Sequence, residues 1–149
     1  MKLEIKLKGI YLKLYFFFKN KLLFKDGYGL SYYLYKNTRA NDTFNLGVRT
    51  DDTTVLYTID KILSSTTLNT SDETQCIDVG GYIGVVTLMM SKVLEKNKKK
   101  WKVHTFEPFE ESFLRLKENI NLYPYKTNII LNDMAVSDVT GTSRLRTYE

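Results

Sequence analysis

Three carboxylates, Asp78, Glu107 and Asp133, each sit at the end of a short apolar run, and the first precedes a glycine-rich stretch, Gly80-Gly81-Tyr82-Ile83-Gly84. A strand that breaks into glycines and then a helix lets a ligand approach the backbone without meeting Cβ atoms, and nucleotide-like cofactors bind at such junctions. A dinucleotide needs Gly-x-Gly-x-x-Gly to seat its pyrophosphate on a helix N-terminus. Here Gly80, Gly81 and Gly84 supply only the last half of that pattern, and Asp78 would set a negative charge beside the phosphates. A nicotinamide oxidoreductase is therefore disfavoured. S-adenosylmethionine fits better: it has no phosphate, its sulfonium and amino groups tolerate a carboxylate, its ribose offers two hydroxyls to an acid, and its adenine amino group can donate to another.

These groups need elements to position them. Residues 76–79, 102–106 and 127–131 read as strands, the first buried and apolar, the last leading into Asn132-Asp133-Met134. A helix is expected from about Ile83 to Lys92 or beyond, apolar on most sides as far as Met90. A second begins after Pro108, with Phe109, Phe113, Leu116 and Ile120 on one stripe and Glu111 paired with Arg115 outside. Strand-helix alternation implies a parallel sheet with right-handed crossovers, so all three acids fall at carboxyl ends of strands. His104, inside a strand, reads as a packing residue, Cys76 as core, and Met89 and Met90 as helix packing. Tyr82 is either a lid on the cofactor or a surface ring.

Upstream, residues 22–24 and 30–35 flank Lys25-Asp26-Gly27-Tyr28-Gly29, the signature of a small β-hairpin. Asp51 or Asp52 then caps a helix expected to lay Val55, Ile59 and Ile62 on the core, with Leu56 and Leu63 beside them, before a polar loop over 64–73. The chain thus divides into a basic aromatic segment (1–21), a hairpin and helix (22–73) and the cofactor-binding part (74–149). Residues 10–18 are apolar apart from Lys13, but the run is far shorter than the roughly 20 residues of a spanning helix, and no small-residue cleavage site follows. Packing of Tyr15 to Phe18 onto the domain is favoured over weak peripheral contact with an anionic membrane surface. Without a secretory signal, Asn41-Asp42-Thr43 and Asn69-Thr70-Ser71 are incidental glycosylation patterns.

At 43% hydrophobic and 13% aromatic, 149 residues are expected to fold as one unit. The net charge of +5 comes largely from N-terminal lysines. Lys98-Lys99-Lys100-Trp101-Lys102 falls at the amino end of the sheet, opposite the crevice, so no nucleic acid is expected. The single cysteine offers neither a disulfide framework nor a thiolate metal site, and suggests a reducing, cytoplasmic setting.

The sequence resembles the FkbM-type class I methyltransferases. The resemblance is carried by Ile77-Asp78-Val79-Gly80-Gly81-Tyr82-Ile83-Gly84 with Thr87, by Phe106-Glu107-Pro108, by Leu116-Lys117-Glu118-Asn119-Ile120, and by Ala135-Val136-Ser137-Asp138 with Gly141. It implies a Rossmann-like α/β fold, S-adenosylmethionine as cofactor, and methyl transfer to a hydroxyl of a small molecule or glycan. The family's cofactor loop falls on Asp78, Gly80, Gly81 and Gly84 with Tyr82, its ribose-binding acid on Glu107, and its adenine-proximal acid on Asp133, with Met134 beside it. No catalytic base is assigned. Two departures stand out. The family commonly has Ala-Asn where Gly81 and Tyr82 stand, and only three strands of its larger sheet precede Glu149. The expected consequences are an incomplete copy of the domain and an unpaired edge along residues 76–79, a template for self-association. The alternative reading is a non-catalytic module that binds a nucleotide-like ligand or a partner.

Overall fold

The computed structural model describes residues 15–26, 28–36, 57–62, 73–97 and 100–145. Two strands, β1 (Lys21–Lys25) and β2 (Ser31–Tyr35), pair antiparallel with Leu23 opposite Tyr33. This is the expected hairpin, but its turn is held by a side chain. Asp26 Oδ1 accepts the amide hydrogens of Tyr28 and Leu30, both at 2.9 Å, while Gly29 takes the left-handed conformation with φ 82°. Short acidic side chains that bond their own backbone a few residues on are efficient turn formers.

The remaining elements run β3 (Thr74–Val79), α1 (Val85–Asn97), β4 (Trp101–Phe106), α2 (Glu110–Ile120), a 3-10 turn (Lys126–Asn128) and β5 (Ile129–Asn132). The three strands form a parallel sheet in the order β3-β4-β5, as the alternation predicts. The boundaries shift for local reasons. Ile83 and Gly84 belong to the turn, so α1 starts at Val85; the 3-10 turn takes the first residues expected in β5.

Register assigns the two faces of the sheet. Asp78 pairs with Thr105 and Thr105 with Leu131 on one face, which is buried where Thr87 of α1 and Leu116 of α2 come against it. Ile77 and Val79 point from the other face and are 64% and 63% exposed. Among the described residues β3 lies at an edge of the sheet.

Leu88, Leu94, Val103 and Leu116 are fully buried, and Tyr32 and Leu34 of the hairpin join the same core. Tyr35 donates its hydroxyl hydrogen to Glu118 at 2.7 Å, and Lys21 bridges to the same carboxylate. The hairpin therefore leans on α2. Glu111 and Arg115 form the expected ion pair along α2. Met89, Met90 and Cys76 pack on the core, and His104 is half-buried.

Some expectations fail. Phe109 caps the N-terminus of α2 and is exposed, leaving Phe113, Leu116 and Ile120 as the inward stripe. Ile59 packs on the core but Ile62, in the same helical stretch 57–62, faces outward; Val55, Leu56 and Leu63 lie outside the described residues. Trp101 is buried and Lys102 bridges to Glu73 at 3.2 Å, so this part of the lysine cluster serves the foot of the sheet. Among the described residues no helix is long and apolar enough to cross a membrane.

Candidate cofactor site

Between β3 and α1 the chain turns over the end of β4. The amides of Gly80 and Gly81 both donate to the Phe106 carbonyl, at 2.9 and 3.0 Å, and the Gly84 amide donates to the Gly81 carbonyl at 2.7 Å. Each glycine is needed for its own reason. Gly80 has φ 89° and open space around it, so its demand is conformational. A Cβ at Gly81 would clash with the Thr105 hydroxyl oxygen. Gly84 combines a φ of 91° with Leu116 only 2.9 Å from where its Cβ would lie.

Tyr82 completes the turn with φ 49°, a conformation that costs an ordinary side chain about 1–2 kcal/mol. Its amide donates to Glu107 Oε2 at 2.8 Å, and the amide of Phe109 donates to Glu107 Oε1 at 2.9 Å. Glu107 thus has a main-chain hydrogen on each oxygen, and a carboxylate oxygen can accept a second. Its own amide donates to the Asn132 carbonyl at 3.0 Å, which ties it to the end of β5.

Asp78 lies beneath the turn, on the buried face of β3. Thr87 donates its hydroxyl hydrogen to Asp78 Oδ2 at 2.6 Å, and the Thr87 and Thr105 hydroxyls are 3.2 Å apart. Burial pushes the Asp78 carboxyl above its ordinary range; the Thr87 hydrogen bond works against that, and the nearby negative charge of Glu107 adds to it. Gly80, Gly81, Tyr82, Gly84 and Glu107 are therefore gathered into one hydrogen-bonded unit, with Asp78 beneath it and held to Thr87. Asp133 and Met134 follow β5 at the same end of the sheet and are exposed, and among the described residues no hydrogen bond joins them to that unit.

Two structural roles escape a sequence reading. Thr105 limits the space at Gly81. Asn119, fully buried on α2, donates to the Ile83 carbonyl at 2.7 Å and to the Tyr33 carbonyl at 3.3 Å, while its Oδ1 accepts the Tyr33 amide hydrogen at 2.6 Å. An amide amid the α2 stripe is the available signal, because a buried amide must be hydrogen-bonded. Asn119 links the hairpin to the glycine turn.

Chemically, the unit offers fixed carboxylates and a backbone open to close approach. Among the described residues no group of three metal-binding side chains occurs. No protein-family profile and no curated protein matches the sequence. Solved structures do match. A SAM-dependent methyltransferase from Agrobacterium tumefaciens superposes with a TM-score of 0.55 at 12% identity, over 78% of this chain and 33% of that one. TYW2 from P. horikoshii, in complex with MeSAdo, gives a TM-score of 0.50 at 18% identity, over 82% of this chain and 39% of that one. This chain thus spans between 33% and 39% of their lengths. At such identities the likeness is one of fold: the parallel sheet and its helices are those of the Rossmann-like methyltransferase fold.

Proposed function

We propose that this chain carries the S-adenosylmethionine-binding part of a methyltransferase of the FkbM type, acting on a hydroxyl of a small molecule or glycan. The observation that carries the reading is Glu107. It is buried at the carboxyl end of β4, and both of its oxygens are oriented by main-chain amides. A carboxylate fixed in this way can take the two adjacent hydroxyls of a ribose without first ordering itself, which is how preorganisation lowers the cost of binding. Asp78 and Glu107 already repel one another enough to help raise the Asp78 carboxyl. A further anion would be unwelcome there and a cationic, phosphate-free ligand would be favoured.

Within this reading Gly80, Gly81 and Gly84 let the ligand lie against the backbone, Tyr82 forms the rim of the turn, and Asp133 with Met134 serves the adenine end. When bound, the cofactor supplies a methyl group already activated by its positive sulfur. The protein's task is then to align an acceptor oxygen and to take its proton. The test is calorimetric titration of S-adenosylhomocysteine into the chain beside Glu107→Ala, both checked by circular dichroism. Saturable binding weakened by the substitution is expected. A folded wild-type chain that takes up no ligand would sink the reading for this chain.

A second reading, a module that binds a partner without turnover, is favoured by exposed Ile77 and Val79 and by the position of β3 at the sheet edge among the described residues. Methyl transfer by this chain to any acceptor would rule it out.

A further inference from the structure

Charge is distributed unevenly along the chain. Residues 1–25 hold seven lysines against one acid, Glu4, a net of +6; the whole chain is +5, so the remainder is −1. The aromatic run lies within this basic segment. Residues 15–18 form a helical turn, which spreads four consecutive rings around its axis. Tyr15 and Phe16 pack against the core, as the sequence suggested, but Phe17 and Phe18 do not. They are 76% and 77% exposed, with their rings edge-on at 5.0 Å. Leu23 stands exposed on β1, between Lys21 and Lys25 on the same face of the strand. Lys21 is tied to Glu118, whereas Lys19 and Lys25 are exposed.

We propose that Phe17, Phe18 and the exposed lysines near them in the chain dock on an anionic lipid bilayer, the rings entering the headgroup boundary and Lys19 and Lys25 lying against acidic headgroups. Adjacent rings that project from a cationic surface are the pattern of a peripheral membrane element, in which apolar burial and charge attraction add. Charge complementarity by itself would also suit a nucleic acid, but the rest of the segment argues for lipid. Leu23 adds an exposed aliphatic side chain to it, and such a chain offers no ring face on which a base can stack. The edge-on rings also present no pair of parallel faces on which successive bases could stack. The inference stands apart from the cofactor reading and needs no ligand in the crevice.

The test is flotation of the full chain with phosphatidylcholine vesicles, with and without phosphatidylserine. The wild type is expected to float only with the anionic vesicles and to be released by salt, as screening shortens the reach of each lysine. Phe17→Ser/Phe18→Ser should lower the partition coefficient about tenfold or more, since each ring withdrawn from the boundary removes apolar burial. Lys19→Gln/Lys25→Gln should lower it several-fold. All four positions are exposed, so circular dichroism should show the fold unchanged. Failure of the folded wild type to float with anionic vesicles overturns the proposal, and so does flotation that survives loss of both rings. Tighter binding to poly(U) RNA that requires the same two rings would assign the face to nucleic acid and overturn it as well.

Discussion

Glu107 accepts the Tyr82 amide hydrogen at 2.8 Å, so the carboxylate at the end of β4 restrains the described non-glycine residue with a positive φ. A hydrogen bond to a charged group contributes about 1.5–3 kcal/mol, similar to the strain it opposes. Glu107→Gln has one acceptor oxygen for two amide donors. The variant should lose about 1–3 kcal/mol in urea denaturation and bind S-adenosylhomocysteine at least tenfold more weakly by calorimetry. An unchanged midpoint would mean the two amides do not depend on the carboxylate.

Asparagine enters the left-handed region more readily than tyrosine. Tyr82→Asn should therefore raise stability by about 1 kcal/mol, read as a shift in the urea midpoint at constant slope. If the variant were instead less stable, the ring would be making contacts that outweigh its backbone strain.

A methyl group at Gly81 meets the Thr105 hydroxyl inside a filled core. Gly81→Ala should cost about 1–3 kcal/mol through overpacking. Thr105→Ala vacates the space, so the double variant should be more stable than the sum of the two single losses predicts. A double-mutant cycle measures this coupling; simple additivity would place the strain elsewhere.

The Asp78 carboxyl, pushed up by burial, makes stability depend on pH in a defined sense. The folded chain holds this proton more firmly than the unfolded chain, so stability falls as pH rises from the ordinary carboxylate range, about 4, through the folded value. Above that the cost is fully present. Asp78→Asn removes the charge and leaves an oxygen to accept the Thr87 hydroxyl hydrogen. Thermal melts should show the variant above wild type at neutral pH, with the gap closing as pH falls toward about 4. A constant gap would contradict the assignment.

Asn119→Leu would remove the partner of the part-buried Tyr33 amide and of the buried Ile83 carbonyl. The expected loss is about 2–4 kcal/mol, from at least two unmade hydrogen bonds. Chemical denaturation measures it. A loss no larger than that of an exposed substitution would mean the hairpin docks on α2 through Tyr35, Lys21 and Glu118 alone.

Much of this architecture is legible in the sequence because it depends on near neighbours. The strand-helix alternation follows from apolar runs and their period, and the glycine turn from the eight residues Ile77 to Gly84. The α2 stripe was readable from Phe113 to Ile120, but Phe109 was not: its i+4 spacing fits the stripe while its position at the N-cap turns it outward. Asp26-Gly27 marks the hairpin in the sequence, but does not show that the Asp26 side chain closes the turn or that Gly29 is left-handed. What stayed hidden depends on segments that meet only after folding. Thr105 lies 24 positions beyond Gly81, and Asn119 reaches Tyr33 across 86. No local pattern encodes those encounters, nor the left-handed backbone of a residue as large as Tyr82.

The hydroxyl beneath Gly81 has a historical meaning as well as a steric one. Exchanges at positions 81 and 82 are not equally free. Asparagine can replace Tyr82 at any time, since the backbone there already suits it. Alanine can settle at position 81 only in a lineage where residue 105 has first become smaller. Substitutions in this loop are thus contingent in order, with the permissive step located on a neighbouring strand.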